Sequence, residues 1–314
     1  MTLVVGVEIS DSQLARTVGT GFDHVPELLD AAGIGYVALG ADRATGTAES
    51  LSPAIVGTLF ARHSHRLGIV AAASPQRDHP YNIARRLASL DHIAHGRAGW
   101  LALREDRATT LGQAERGSWN RQRSLGAVQL ADAVTATRAL WRTWPIETLT
   151  GTADLPVRYA DHTGVYPTTG PLNVPTTPQG EPVVWWRYER GDDPALLAVA
   201  DVVTATLDEI AAARAGLPES VHLHVRLDAG PALADVDRAT LTELAARPDI
   251  HGVLIRLDLS AAADFVERTL PALADAGLVR LRESDATATL RAHLGIARRA
   301  EPDLNRHRPV FVAS

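Results

Sequence analysis

Two short stretches place side chains capable of chemistry at telling positions. In the first, His79-Pro-Tyr81 leads into an amphipathic run. Tyr81 offers a ring to stack and a hydroxyl to donate, and His79 offers a donor or a proton. In the second, His222-x-His224-x-Arg226-x-Asp228 alternates with Val221, Leu223, Val225 and Leu227. Strand alternation sends the four polar groups to one face and the apolar ones to the other. Such a face is a hydrogen-bonded polar layer or a functional surface, and no third ligand for a metal is indicated. His63-x-His65 falls on a predicted helix, where i,i+2 side chains diverge. Asp91, His92 and His95 follow on the helix after Tyr81 and are expected on a solvated face.

Other chemistries are excluded by spacing or composition. Gly33-Ile-Gly35 precedes a strand and lacks the third glycine of a dinucleotide-binding turn. No Gly-x-Ser-x-Gly nucleophile elbow is present. All 31 basic residues are arginine, so no Schiff-base or phosphate-loop lysine exists. There are 0 cysteines, which removes disulfides, thiolate nucleophiles and cysteine-based zinc sites.

The elements that must position these residues alternate regularly. Short apolar runs at 3–9, 36–39, 67–73, 98–103, 182–188, 202–206, 221–227 and 252–257 predict strands. Helical patterns separate them at 25–32, 53–65, 82–94, 124–144, 196–200, 207–215 and 238–246, and one at 262–276 closes the series. In the helix at 82–94, Ile83, Leu87, Leu90 and Ile93 fall near 3.6 spacing, and Gly96 stands where a left-handed stop belongs. Eight strand–helix pairs predict an α/β fold, a (β/α)8 barrel, with an open doubly wound sheet as the alternative. The segment 148–181 interrupts the alternation with a proline-rich excursion before the fifth strand. Loops of that length are commonly functional or interface-forming. The 314 residues, 46% hydrophobic, suit one barrel domain spanning 1–314. A net charge of −6 gives no attraction to nucleic acid or to an anionic membrane. MTLVVGVEIS lacks the basic start of a signal peptide, and no apolar run approaches the ~20 residues of a membrane helix. A cytoplasmic protein is expected.

The run 79–100, HPYNIARRLASLDHIAHGRAGW, resembles one unit of the bacterial-luciferase-like flavin monooxygenases. The likeness is to the branch with nitrilotriacetate and dibenzothiophene-sulfone monooxygenases. Residues 36–42, 164–182, 265–279 and 290–295 resemble further stretches of that family, in the same order. The resemblance implies a luciferase-like barrel, a homodimer, and a small organic substrate. It implies reduced FMN delivered by a separate flavin reductase, or F420 as in other branches. It places His79, Tyr81 and Ser74 beside the flavin ring, has Asp42 and Trp100 shape the pocket, and makes His79 the best catalytic candidate.

This chain departs from its relatives at two flavin-contact positions. Leu101-Ala-Leu-Arg104 replaces an Asn and a Thr, and Arg187-Tyr-Glu-Arg190 replaces a Gly-Ala-Ser turn. Two readings follow. In one, Arg187 or Arg190 grips the flavin phosphate. In the other, Arg104 pairs with Glu189 across the mouth and closes it, leaving a non-catalytic paralogue that binds another ligand or a partner subunit. An F420-dependent oxidoreductase, with surplus arginine meeting an acidic cofactor tail, is a third.

Overall fold

Parallel strands buried on both faces read as unbroken apolar runs, and eight such runs close into a ring here. The computed structural model describes residues 2–17, 24–45, 51–107, 125–151, 156–228, 238–282, 288–300 and 306–311. Strands β1 (Leu3–Ile9), β2 (Tyr36–Leu39), β3 (Gly68–Ala73), β4 (Ala98–Ala102), β5 (Val183–Arg187), β6 (Val202–Thr206), β7 (His222–Asp228) and β8 (Gly252–Arg256) each pair in parallel with the next. β1 bonds both to β8 and to β2, which closes the barrel and rules out the open sheet. A two-residue strand, β9 (Val279–Arg280), pairs with Leu3 and Val4 below the point where β2 begins.

Closure divides the core in two. Val4, Tyr36, Val70, Leu101, Trp185, Val202 and Leu254 point into the lumen, with Leu290 and Leu294 packed against them. Alternate residues such as Val5, Val37, Ile69, Trp100, Val203 and Ile255 point outward beneath the helices. A barrel interior filled in this way is a packed core, which leaves the strand ends for chemistry.

The helices follow the predicted order, several of them with shorter bounds. They include α1 (Asp11–Thr17), α2 (His24–Ala31), α3 (Pro53–Arg62), α4 (Pro80–Ile93), α5 (Ala127–Trp141), α6 (Pro194–Leu197), α7 (Ile210–Arg214) and α8 (Arg238–Ala246). α4 starts where His79 caps it and Pro80 takes the first turn, and it stops before Gly96 at φ 81°. The single helix predicted at 262–276 is broken instead. A π turn at Phe265–Thr269 bonds the Leu270 N–H to the Phe265 carbonyl, and Pro271 follows without an N–H to continue the ladder. α1 and a short helix at Leu290–Leu294 lie outside the predicted elements.

The excursion packs over α4 and α5. Thr176 Oγ1 donates to the Trp141 carbonyl at 2.8 Å, and Gln179 Nε2 donates to Asp91 at 2.7 Å. This corrects the expectation for Asp91. It is fully buried, because the excursion covers its helix face and the Ala98 N–H also bonds it at 2.8 Å. Burial pushes its carboxyl up to about 6.

Candidate functional site

The C-terminal ends of the strands form the candidate site, and its floor is ionic. Glu8 on β1, Arg256 on β8 and Asp228 on β7 stand side by side in register. Arg226, one lumen-facing step below Asp228, grips Glu8 with a two-bond fork at 2.9 and 2.8 Å. Arg187 at the end of β5 approaches the same carboxylate at 3.6 Å. Glu8 is 1% exposed. Burial alone pushes its carboxyl up, but the Arg226 fork and the charges of Arg187 and Arg256 outweigh burial and hold it below its ordinary value. The Nε of Arg187 is buried with no acceptor. A buried donor without a partner costs about 1–3 kcal/mol.

A belt of hydrogen bonds fixes the rim over strands β1 to β4. The Asp11 N–H donates to both Asp42 carboxylate oxygens at 3.1 and 3.2 Å. Arg43 donates to Asp11 at 3.1 Å and to Asp106 at 2.9 and 3.1 Å. The Asp106 N–H donates to Gln76 Oε1 at 2.8 Å, the Gln76 N–H to Ser74 Oγ at 3.1 Å, and Ser74 Oγ to the Arg104 carbonyl at 3.1 Å. Burial and the neighbouring Asp42 push Asp11 up to about 6. Arg104 pairs with Glu189 and Asp192 and lies over the Trp186 ring at 5.6 Å. The Arg104–Glu189 pair therefore exists, but it joins adjacent strands β4 and β5 instead of spanning the mouth.

Beneath this charged layer the lumen is neutral and solid. Tyr36 Oη and His224 Nδ1 are 2.8 Å apart, and the Tyr36 and Trp185 rings are 5.2 Å apart. A Cβ on Gly6 would stand 2.2 Å from the Tyr36 ring, and one on Gly99 2.4 Å from Trp185. His222 stacks on His251 at 4.0 Å. Burial drives His224 well below its ordinary value and His222 down to about 4. The β7 polar face is thus a hydrogen-bonded layer below and an ionic floor above. Among the described residues no group of three His, Cys, Asp or Glu is placed to hold a metal.

The predicted site residues separate into four places. Arg187 is on the ionic floor, and Asp42 is close enough to act electrostatically on Arg187 and Arg226. Ser74 and Arg104 belong to the rim. His79 caps α4, its Nδ1 accepting from the Tyr81 N–H at 3.1 Å, with its ring edge-on to Tyr166 at 6.4 Å. Burial lowers His79. Tyr81 packs against the outer core. Trp100, expected in the pocket, lies on the helix side of β4 with its indole N–H on the Ala73 carbonyl at 3.0 Å. Arg190 is exposed and lies 3.5 Å from exposed Asp208. Sequence reasoning missed Glu8, Asp11, Arg43 and Asp106. Glu8 had a signal, as the lone acid of an apolar strand at the same parity as Val4 and Gly6.

No family model matches the sequence. The chain is 32% identical over 276 residues to a subunit of pristinamycin IIA synthase from Streptomyces pristinaespiralis, covering 81% of this chain and 89% of that protein. It is 34% identical over 149 residues to dibenzothiophene-sulfone monooxygenase of Rhodococcus erythropolis, covering 44% of this chain and 32% of that one. It therefore matches only about a third of that relative's length. EDTA monooxygenase from Chelativorans sp. BNC1 has the same fold, with TM-score 0.71 at 18% identity, covering 95% of this chain and 99% of that chain.

Proposed function

The chain belongs to the luciferase-like family of flavin-dependent monooxygenases, and from that premise we propose that it is the oxygenating component of a two-component, FMN-dependent system acting on a small organic substrate. The observation that supports FMN at this mouth is the buried Arg187 Nε without an acceptor. Arg187, Arg226 and Arg256 give one side of the mouth a cationic lining. That donor set fits an anionic phosphate or the electron-rich edge of a reduced flavin. Bound reduced FMN supplies the electrons with which dioxygen is split, one oxygen atom entering the substrate and the other leaving as water.

The chain's own residues do the holding and shielding. Glu8 keeps Arg187 and Arg226 aimed inward, so the cations are pre-positioned for a ligand. The Asp42-to-Arg104 belt holds the rim, and the Tyr36–His224–Trp185 layer keeps water from entering below. Asp11, pushed up to about 6, is a rim group able to exchange a proton near neutral pH. A flavin reductase in the same cytoplasmic compartment delivers the cofactor, and the active form is a homodimer.

A second reading is favoured by the Glu8–Arg226 fork. Ions already satisfied by one another form a closed floor, as expected of a subunit that serves a catalytic partner instead of binding flavin itself. Anaerobic titration with FMN, reduced FMN and F420, followed by absorbance and fluorescence, separates the two. Micromolar binding of reduced FMN is the expected result. Silence with all three assigns the chain to the second reading, and preference for F420 would make it an F420-dependent oxidoreductase.

A further inference from the structure

The excursion before β5 builds a second site at the opposite end of the barrel. A cleft of ≈ 420 Å³ opens between the last turn of α5, the residues after α6, and the chain around Arg158. It lies toward the N-terminal strand ends, since Val199 precedes β6 and Glu181 precedes β5. That volume is within the usual range for small-molecule sites. Ala139, Ala160, Ala198 and Val199 give it apolar walls, and Arg142, Arg158 and Arg299 give it cations.

The carboxylates behind these walls are already engaged. Buried Glu181 pairs with Arg138 and Arg142. Buried Asp201 pairs with Arg138, Arg291 and Arg299. With Arg158 included, five guanidinium groups face two carboxylates, a surplus of three positive charges among the described residues. Arg158 has no carboxylate partner there. Its Nη1 donates to the His307 carbonyl at 3.1 Å, and its buried Nε has no acceptor. Surplus cations beside apolar walls, with one donor unpaired, select a ligand that is charged at one end and greasy at the other.

We propose that this cleft binds a small amphiphilic anion, a carboxylate or phosphate monoester carried on an aromatic or hydrocarbon body, with Arg158 gripping the anion and Ala198 and Val199 covering the body. The site is separate from the barrel mouth and independent of the cofactor held there.

Isothermal titration of the full chain with phenyl phosphate, inorganic phosphate and benzyl alcohol tests this. The expected result is saturable binding of phenyl phosphate, with each of the other two weaker by about tenfold or more. Binding weakens by about tenfold or more in Arg158→Gln and persists in Arg187→Ala, which locates it away from the mouth. Ala198→Trp fills the cleft without altering any charge and abolishes the same binding, which keeps the test valid if Arg158→Gln does not fold. No saturable binding by the wild-type chain, unchanged binding in folded Arg158→Gln or Ala198→Trp, or equal affinity for inorganic phosphate overturns the proposal. Reduced FMN binds both variants as it binds wild type, so failure here is distinguishable from failure of the proposed function.

Discussion

The upper and lower halves of the lumen are both buried and both polar, and they tolerate polarity by opposite means. In the lower half, Tyr36, His224 and Trp185 are kept neutral and packed into space that Gly6, Gly99 and Gly252 leave open. Burial there suppresses charge, as the lowered His222 and His224 show. In the upper half, Glu8, Arg187 and Arg226 keep their charges because they stand against each other. A neutral layer can be sealed by shape alone. A charged layer needs partners, and a leftover donor such as Arg187 Nε shows where the pairing is incomplete.

Breaking the upper layer has the largest expected effect. Glu8→Ala removes the carboxylate shared by the half-buried Arg187 and Arg226 and costs about 3–5 kcal/mol of stability, read from denaturant midpoints. Replacing Glu8 by Leu and Arg226 by Met together recovers most of that loss. A double variant as unstable as Glu8→Ala would show that the floor is not held as an ion pair.

Breaking the lower layer by shape is the next test. Gly6→Ala places a methyl against the Tyr36 ring and costs about 1–3 kcal/mol by overpacking, with no change in the salt dependence of stability. Acid breaks the lower layer by charge. Burial lowers His222 to about 4 and lowers His293, which lies beside Gly35 and acts electrostatically on His224, to about 3 in the folded chain, against an ordinary 6.5. The unfolded chain takes these protons first. The stability that the neutral histidines contribute is therefore complete above pH 6.5 and falls as pH drops toward 4. His222→Leu flattens that slope, and an unchanged slope would mean another group carries it.

The smallest effect sharpens the upper layer's boundary. Arg190 is exposed beside exposed Asp208, so Arg190→Ala changes stability by less than about 0.5 kcal/mol. It also changes reduced-FMN affinity by less than about threefold, because the exposed side chain pairs with Asp208 and makes no contact with the floor residues Glu8, Arg187 or Arg226 among those described.

The fold was legible because parallel strands announce themselves as apolar runs, and all eight fall within one or two residues of the predicted bounds. The lumen face of β7 was legible from alternation. Chemistry that depends on long-range contact was not. Arg43 meets Asp106 across 63 residues and Arg226 meets Glu8 across 218, and no local pattern signals either pair. Asp91 misled because a helix pattern does not show that a distant proline-rich segment will cover it. Trp100 misled for a different reason. Family likeness put it near the pocket, whereas the parity of Gly99 and Leu101, which face the lumen, sends Trp100 to the helices.

The proposed function requires the guanidinium floor at the strand C-termini to receive the cofactor. Anaerobic titration of reduced FMN into wild type, Arg187→Ala and Arg158→Gln tests it most directly. The expected outcome is micromolar binding by wild type, about tenfold or greater weakening in Arg187→Ala, and no change in Arg158→Gln. A folded Arg187→Ala chain that binds reduced FMN as tightly as wild type would contradict it.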